Sequence, residues 1–573
     1  MMRILLAYRA HPAGSRDPFA SLLPVGLLSL RGVLTEQGHD THLANLSGFS
    51  WDKVTSCLRR ENPELLGLSQ FTHNRHEMVR LAVLAKSINP SCIVVFGGPH
   101  ASHAVADLLM PGSPVDLVVI GEGEATIREL AAVLANKGRD GLRQVQGIAF
   151  RDGDEIVTTP PRPPIPNLDS LPRMAEQCSD AIGVDPLRQL GFIVTSRGCP
   201  AACSFCNSPR FWGNRLRFRS PRAIVDEIRF IRDRFGLIYF SLRDDTFTAD
   251  RGRVLEFCRL LVEEGVHILW NCQSRANFLD EELLVRLKLA GCECVQVGVE
   301  SGAPSLLRTL GKGLIPEQMV QVGDAIRRVG LQLSIYLITG IPGEGEAELR
   351  ETCRLIERLR PHDGHVSPLA YYPGTLLFEQ AVARDEVPET LFADSRGEAC
   401  LVRNDPFVLR AKTTLLDAIT AAGERHAYRP RDFQAHKKRY GLSSVTNVLA
   451  GACFEGIGEA GRAEAEYREL IRHQADNPWG WLLLGELLGS TGRFAEAEQA
   501  FDRVLGLVPR HAPAHAARGE LAKLAGRKEL ARDWFARALA IDSREPTALK
   551  GLKQLDKKKA KPRAASPGTT TKS

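Results

Sequence analysis

The chain has 573 residues, 44% hydrophobic and 25% charged, a globular composition in a length too great for one core. Its net charge of +6 sits at the end: after Gly551, seven basic residues (Lys553, Lys557, Lys558, Lys559, Lys561, Arg563, Lys572) stand against Asp556. The body is therefore neutral and offers no basic surface for nucleic acid. No run of about eighteen apolar residues marks a transmembrane segment, the start reads as a strand rather than a leader, and thirteen cysteines without regular pairing exclude a secreted disulfide scaffold. A reducing, cytoplasmic setting is expected.

Residues 1–138 alternate short apolar runs with helical periodicity. Ile4–Tyr8, Thr41–Ala44, Leu65–Ser69, Ile93–Phe96 and Leu117–Ile120 read as strands, and Pro24–Gln37, Asn74–Ile88 and Glu124–Asn136 as helices, with Gly38 a C-cap. This is an α/β pattern, and it predicts a doubly wound parallel sheet that binds ligands in its strand-to-helix loops. Those loops carry Ser69-Gln70-Phe71, Gly97-Gly98-Pro99-His100 and Gly121-Glu122-Gly123-Glu124. Ser69-x-Phe71, twenty-five residues and then Gly97-Gly98 resembles the Ser-x-Leu and Gly-Gly pattern of cobalamin-binding domains. The Gly-Gly-Pro-His and Gly-Glu-Gly-Glu loops resemble the forms fused to radical-enzyme barrels. The resemblance implies that Ser69, Gly97, Gly98, His100, Gly121, Glu122, Gly123 and Glu124 contact cobalamin. Where base-off relatives carry Asp-x-His-x-x-Gly, this chain has Arg9-x-His11-x-x-Gly14. Arginine cannot support a cobalt-bound histidine, so His11 is not expected to ligate cobalt.

Residues 139–189 read as a linker: a small hairpin around Asp152-Gly153, then a stiff run from Pro160 to Pro166. Residues 190–390 repeat strand and helix six times. The first strand, Phe192–Thr195, feeds Arg197-Gly198-Cys199-Pro200-Ala201-Ala202-Cys203-Ser204-Phe205-Cys206. Three cysteines at C-x3-C-x2-C, with no neighbouring fourth ligand, leave one metal position open, whereas a structural zinc site closes with four.

That loop resembles the signature of the radical S-adenosylmethionine (radical-SAM) family. The resemblance implies a partial (β/α)6 barrel and a 4Fe-4S cluster on Cys199, Cys203 and Cys206, whose fourth iron S-adenosylmethionine chelates. It assigns further S-adenosylmethionine contacts to Phe205, to Asp244 after the second strand, to Arg275 after the third for the methionyl carboxylate, to Glu300 and Ser301 after the fourth for the ribose, and to Gly340 and Pro342 after the fifth beside adenine. For Asp244 a plain turn role is an equal reading. Cys258, Cys272, Cys292 and Cys294 lack ligand spacing, so no second cluster is expected.

Residues 391–443 read as a helical connector. Beyond it a thirty-four-residue repeat appears: Gly451, Gly485 and Gly519; Ala463, Ala497 and Ala531; Tyr467, Phe501 and Phe535. This matches the tetratricopeptide (TPR) pattern and predicts an all-α solenoid of three repeats over 444–555, ending in a disordered basic tail, 556–573. As a whole the chain resembles cobalamin-dependent radical-SAM enzymes, which cleave S-adenosylmethionine reductively and functionalise an unactivated carbon, here most simply by methyl transfer. Ring closure, oxidation or rearrangement is the alternative within the class, and a TPR adaptor with a vestigial enzyme half the alternative outside it. A low-potential electron donor, a substrate either free or carried on a partner, and a protein or peptide partner for the repeats are implied.

Overall fold

A computed structural model describes residues 1–10, 22–213, 215–394 and 396–557. His11, Gly14 and the basic tail from Lys558 lie outside the described residues. The chain forms two compact units: Met1–Ile228 with Tyr239–Gly441, and Arg229–Ile238 with the residues from Leu442 on. No helix among the described residues is long and apolar enough to cross a membrane.

In the first unit, β1 (Arg3–Tyr8), β2 (Asp40–Asn45), β3 (Leu65–Ser69), β4 (Ile93–Gly97) and β5 (Leu117–Val119) pair in parallel in the order β2-β1-β3-β4-β5. The hairpin expected in the linker, β6 (Ile148–Asp152) and β7 (Glu155–Thr158), extends this sheet antiparallel from β5. Side chains alternate across the strands. Leu5, Ala7, Leu66, Leu68, Val94, Phe96 and Val118 share one apolar core with Met78, Leu81 and Ala85 of helix Arg75–Ile88 and Val54, Cys57 and Leu58 of helix Trp51–Glu61. The Trp51–Glu61 helix is not among the sequence expectations. On the opposite face Leu6, Gly67, Val95 and Val119 line a cavity of about 650 Å³ beneath helices Val25–Glu36 and Glu124–Lys137. Gly67 contributes no side chain there, and a Cβ at that position would come within 2.6 Å of Leu6 Cδ2.

The second sheet holds β8 (Phe192–Ile193), then, after a two-stranded ribbon of β9 (Ser196–Arg197) and β10 (Arg217–Phe218), the strands β11 (Tyr239–Leu242), β12 (Leu269–Ser274), β13 (Cys292–Glu300), β14 (Gln332–Thr339) and β15 (Asp363–Pro368). Six of these run parallel in the order β8-β11-β12-β13-β14-β15 with both ends unpaired, which is an open partial barrel. Val295, Val297 and Val299 are buried while Cys294, Gln296 and Gly298 between them are partly open; β14 repeats the pattern with Leu333, Ile335 and Leu337 against Tyr336 and Ile338. The apolar set faces the surrounding helices and the polar set faces the lumen. Helix Pro406–Arg425, in the expected connector, packs on β15 and completes this shell.

The second unit stacks helices in pairs: Ser444–Gly456 with Ala460–His473, Pro478–Ser490 with Phe494–Leu507, and Ala512–Leu524 with Lys528–Ile541, followed by Pro546–Lys557. The repeat glycines mark where paired helices cross. A Cβ on Gly451 would lie 2.2 Å from the Tyr467 ring, one on Gly485 2.9 Å from Phe501, and one on Gly519 2.5 Å from Phe535. Gly519→Ala would gain about 1 kcal/mol of helix propensity but overpack this crossing, at a cost of about 1–3 kcal/mol. It should lower the urea midpoint of the helical circular-dichroism signal. Gly489→Ala, whose Cβ meets only Leu521 Cδ2 at 3.7 Å, should leave the midpoint unchanged or raise it; equal effects would contradict the crossing.

Candidate cofactor and active site

The cysteine loop leaves β9 at Gly198 and returns through β10, and buried polar groups fix it at both ends. Asp244, fully buried, accepts Thr195 N at 2.5 Å and Ser196 N at 3.0 Å and also binds the Thr195 hydroxyl, with the Arg253 guanidinium 3.7 Å away. Both its oxygens are thus committed to the approach to the loop. The sequence expectation that Asp244 contacts S-adenosylmethionine is corrected to the turn role. In the middle of the loop, Ser204 donates its N–H to Leu310 O at 2.9 Å and its hydroxyl to Thr309 O at 3.0 Å, and accepts from Leu377 N at 2.8 Å.

Cys199 is buried, Cys203 and Cys206 are half-buried, and all thirteen cysteines are free thiols. Burial pushes the Cys206 thiol up to about 12, so metal binding must supply the energy to ionise it. Among the described residues no three His, Cys, Asp or Glu side chains converge on a single ion. Arg275 aims at this loop, with Nη1 3.3 Å from Cys203 Sγ and Nη2 donating to Lys312 O at 2.5 Å.

Glu300 ends β13 at a bulge, with φ of 66°. A left-handed non-glycine residue costs about 1–3 kcal/mol and persists only where its surroundings impose it. Here Lys312 Nζ holds Glu300 Oε1 at 2.7 Å, and Oε2 has no partner among the described residues. A Cβ on Gly298 would lie 2.7 Å from Glu300 Oε1 and 3.0 Å from Lys312 Nζ, so glycine makes room for the pair. Ser301 is turned inward: its hydroxyl accepts from Ala303 N at 3.1 Å and lies 3.2 Å from Thr352 Oγ1. The Ser301 hydroxyl is thus committed within the fold, whereas Glu300 keeps one carboxylate oxygen unused among the described residues. Gly340 donates its N–H to Glu344 Oε2 at 2.5 Å and opens the turn bearing Pro342. Between them, Ile341 shares a buried apolar cluster with Leu310 and Tyr371, against which the partly open Phe205 packs.

The first domain meets the same loop. The cavity is lined by Ser69, Gly97, Gly98, Gly121, Glu122, Gly123 and Glu124, and by Arg197 and Trp212 from the ribbon and loop. Gly98 has φ of +100°, and a Cβ there would lie 2.9 Å from Gln70 O, so only glycine fits. A Cβ on Gly97 would make ordinary contact with Val119 Cβ at 3.7 Å. Glycines along a mostly apolar wall suit the tail of a large cofactor. His100 does not line this wall, contrary to expectation. It is buried against Phe392, its Nδ1 3.0 Å from Thr72 Oγ1, and burial lowers its pKa to about 3. Arg9 is likewise structural: buried, it donates to Glu77 Oε2 at 2.6 Å and Leu46 O at 2.5 Å.

Glu122 and Glu124 have a role that sequence reasoning missed. Arg197 Nη2 pairs with Glu124 Oε1 at 2.5 Å, Arg197 Nη1 lies 3.6 Å from Glu122 Oε1, and Arg217 Nη2 pairs with Glu122. These four side chains are 5–12% exposed. Ile165 of the linker joins them, donating N–H to Glu122 Oε2 at 2.8 Å and accepting from Arg217 Nη1 at 2.9 Å. The two carboxylates of the first domain thus clamp both strands of the ribbon that presents the cysteines. The alternating acids 122 and 124 were visible in the sequence; their partners, 73 residues further on for Glu124, were not.

The sequence pattern of the radical SAM superfamily matches residues 193–356, that of the B12 binding domain residues 20–131, and that of the tetratricopeptide repeat residues 454–509 and 482–546. An uncharacterized methyltransferase of Pyrococcus horikoshii is 30% identical over 369 residues, covering 63% of this chain and 79% of that protein. The anaerobic magnesium-protoporphyrin IX monomethyl ester cyclase of Synechocystis is 31% identical over 371 residues, covering 63% and 73%. The solved structure of the radical SAM methyltransferase TsrM from Kitasatospora setae, with cobalamin and a 4Fe-4S cluster bound, shares the fold at TM-score 0.57 and 20% identity, over 67% of this chain and 75% of that one.

Burial alone would raise the Glu124 carboxyl, but Arg197 overrides it and holds the group below its ordinary value. That stability is present above the usual carboxylate range near 4 and is lost as pH falls through the depressed folded value. Glu124→Gln removes the near partner of buried Arg197, leaving only Glu122 at 3.6 Å, and should destabilise the first unit by about 1–3 kcal/mol. Glu124→Gln with Arg197→Met should recover much of that loss. A double variant as unstable as the summed single variants would show that the pair is not coupled.

Proposed function

The chain belongs to the radical S-adenosylmethionine enzymes that carry a B12-binding domain, and on that footing we propose that it adds a methyl group to an unactivated carbon of its substrate. The observation that carries the reading is the abutment of the two cofactor sites: Asn207, directly after the third cysteine, lies with Nδ2 3.4 Å from the carbonyl of Pro99, directly after the cavity glycines. When bound, S-adenosylmethionine on the reduced cluster supplies hydrogen abstraction and cobalamin supplies the methyl group.

The protein's own part is holding and orienting. Cys199, Cys203 and Cys206 hold three irons, and Ser204 and Asp244 keep their loop in place. Arg275 offers guanidinium donors for the methionyl carboxylate, Glu300 Oε2 accepts from a ribose hydroxyl, and Phe205 with the Gly340–Pro342 turn flanks the adenine. Ser69, Gly97, Gly98, Gly121 and Gly123 admit the cobalamin tail. The ring closure named for the Synechocystis relative would use the same arrangement, and product mass separates it from methylation. We assign the repeats to recruiting a protein or peptide partner, or a substrate carried on one, and the electron to a low-potential protein donor.

A crossed pair of variants tests the two cofactor sites. Wild-type protein should carry about four irons after anaerobic reconstitution. Cys203→Ala should lose S-adenosylmethionine cleavage yet retain cobalamin, whereas Gly97→Phe, filling the cavity without backbone strain, should lose cobalamin yet retain iron. Deoxyadenosine formation by Cys203→Ala at the wild-type rate would overturn the cluster assignment. For the repeats, deletion of 442–573 should spare substrate-free cleavage and abolish turnover of the physiological substrate. Full turnover would exclude recruitment, and loss of both activities together would mark a structural cap.

A further inference from the structure

The barrel lumen holds a cation that none of the cofactor contacts uses. Arg243 follows β11 at its C-terminal end, where side chains of such barrels meet their ligands. Its Nη1 donates to Gln296 Oε1 on β13 at 3.2 Å and to Tyr336 OH on β14 at 3.3 Å. With the Gln273 amide turned to satisfy both neighbours, Nη1 also donates to that oxygen on β12 at 3.0 Å, and Gln273 nitrogen donates to Asp244 O at 3.2 Å. The guanidinium carbon sits 5.3 Å from the Phe192 ring centroid on β8. A side chain can reach β8, β12, β13 and β14 together only from inside the barrel.

Every one of these partners is neutral. Arg243 has no carboxylate partner among the described residues, and the acids nearest the lumen are committed elsewhere. Glu300 pairs with Lys312, Asp244 faces Thr195, Ser196 and Arg253, and Glu293, at the opposite end of the strands, accepts from Tyr239 OH at 2.6 Å. Asp363, at that same far end, makes no ion pair with Arg243. All three acceptors lie around Nη1 and share its two hydrogens, which leaves Nη2 and Nε without partners among the described residues. That free edge is the one that grips a carboxylate or phosphate with two parallel bonds. The site also lies one residue pair below the S-adenosylmethionine region, since Tyr336 registers with Gly298, the glycine that makes room for Glu300.

We propose that Arg243, with Gln273, Gln296 and Tyr336 around it, binds an oxyanion of the substrate, a carboxylate or a phosphate, inside the barrel. This rests on the lumen being the reaction chamber, and it narrows the substrate class to molecules carrying such a group. The anion anchors the molecule from below and leaves its reacting carbon facing the cofactors.

Arginine footprinting tests this on the full-length, cluster-reconstituted protein. Phenylglyoxal should modify Arg243, read by peptide mass spectrometry. Acetate or inorganic phosphate at about 50 mM should slow that modification at least about fivefold, as millimolar binding requires, while neutral acetamide should not. Protection by acetate alone assigns a carboxylate and by phosphate alone a phosphate; either supports the site. Gln296→Glu, which places a carboxylate beside the guanidinium, should make Arg243 slow to react with no anion added. An Arg243 that never reacts in the wild-type protein, is protected equally by acetamide, or is protected by neither anion would overturn the proposal. The footprint does not depend on S-adenosylmethionine cleavage, so its failure leaves the methyl-transfer reading standing, and loss of cleavage leaves the footprint interpretable.

Discussion

The buried pairing of Glu122 and Glu124 with Arg197 and Arg217 is the constraint on which the rest of this structure depends. Two cofactors can cooperate on one carbon only if their sites keep a fixed separation, and here they belong to different sheets. Buried ion pairs contribute little net stability, because desolvation offsets their attraction. What they provide is geometry: two carboxylates and two forked guanidinium groups that pair in one arrangement. Since Arg197 lies two residues before Cys199 and the two glutamates follow β5, that arrangement sets cluster loop against cavity wall.

Much of this was legible in the sequence because it depends on local pattern. The strand alternation located all five parallel strands of the first sheet to within a few residues and predicted the number, six, in the barrel. The cysteine spacing and the thirty-four-residue glycine–aromatic period point to their chemistry and packing without a third dimension. The rest depends on partners distant in the chain. Asp244 reads as an acid facing the barrel until Thr195, Ser196 and Arg253 are seen around it. His100 reads as a cofactor contact until Phe392, nearly three hundred residues later, covers its ring. The helix Trp51–Glu61 was missed although Trp51, Val54, Cys57 and Leu58 recur at helical spacing, because it is short and its other positions are mostly charged or polar.

The end of β13 concentrates backbone strain at a single residue. Glu300 adopts a backbone conformation that a carboxylate side chain gains nothing from locally. The bulge, the side-chain-free Gly298 and the buried Lys312 compensate for it together, and each would be a poor choice elsewhere in a strand. Below that point the lumen side carries the polar side chains Gln273, Gln296 and Tyr336 around Arg243 rather than an aliphatic layer.

The composite wall of the cavity also has a consequence in time. Its lining runs from Leu6 to Asp226 and includes Leu168, Arg197 and Trp212. A ribosome that has released only the first sheet has made a groove, not a pocket. The groove closes once the proline-rich linker and the cysteine ribbon have emerged and Arg197 has found Glu124. A chain that stops short of the ribbon therefore lacks part of the wall that encloses the cavity.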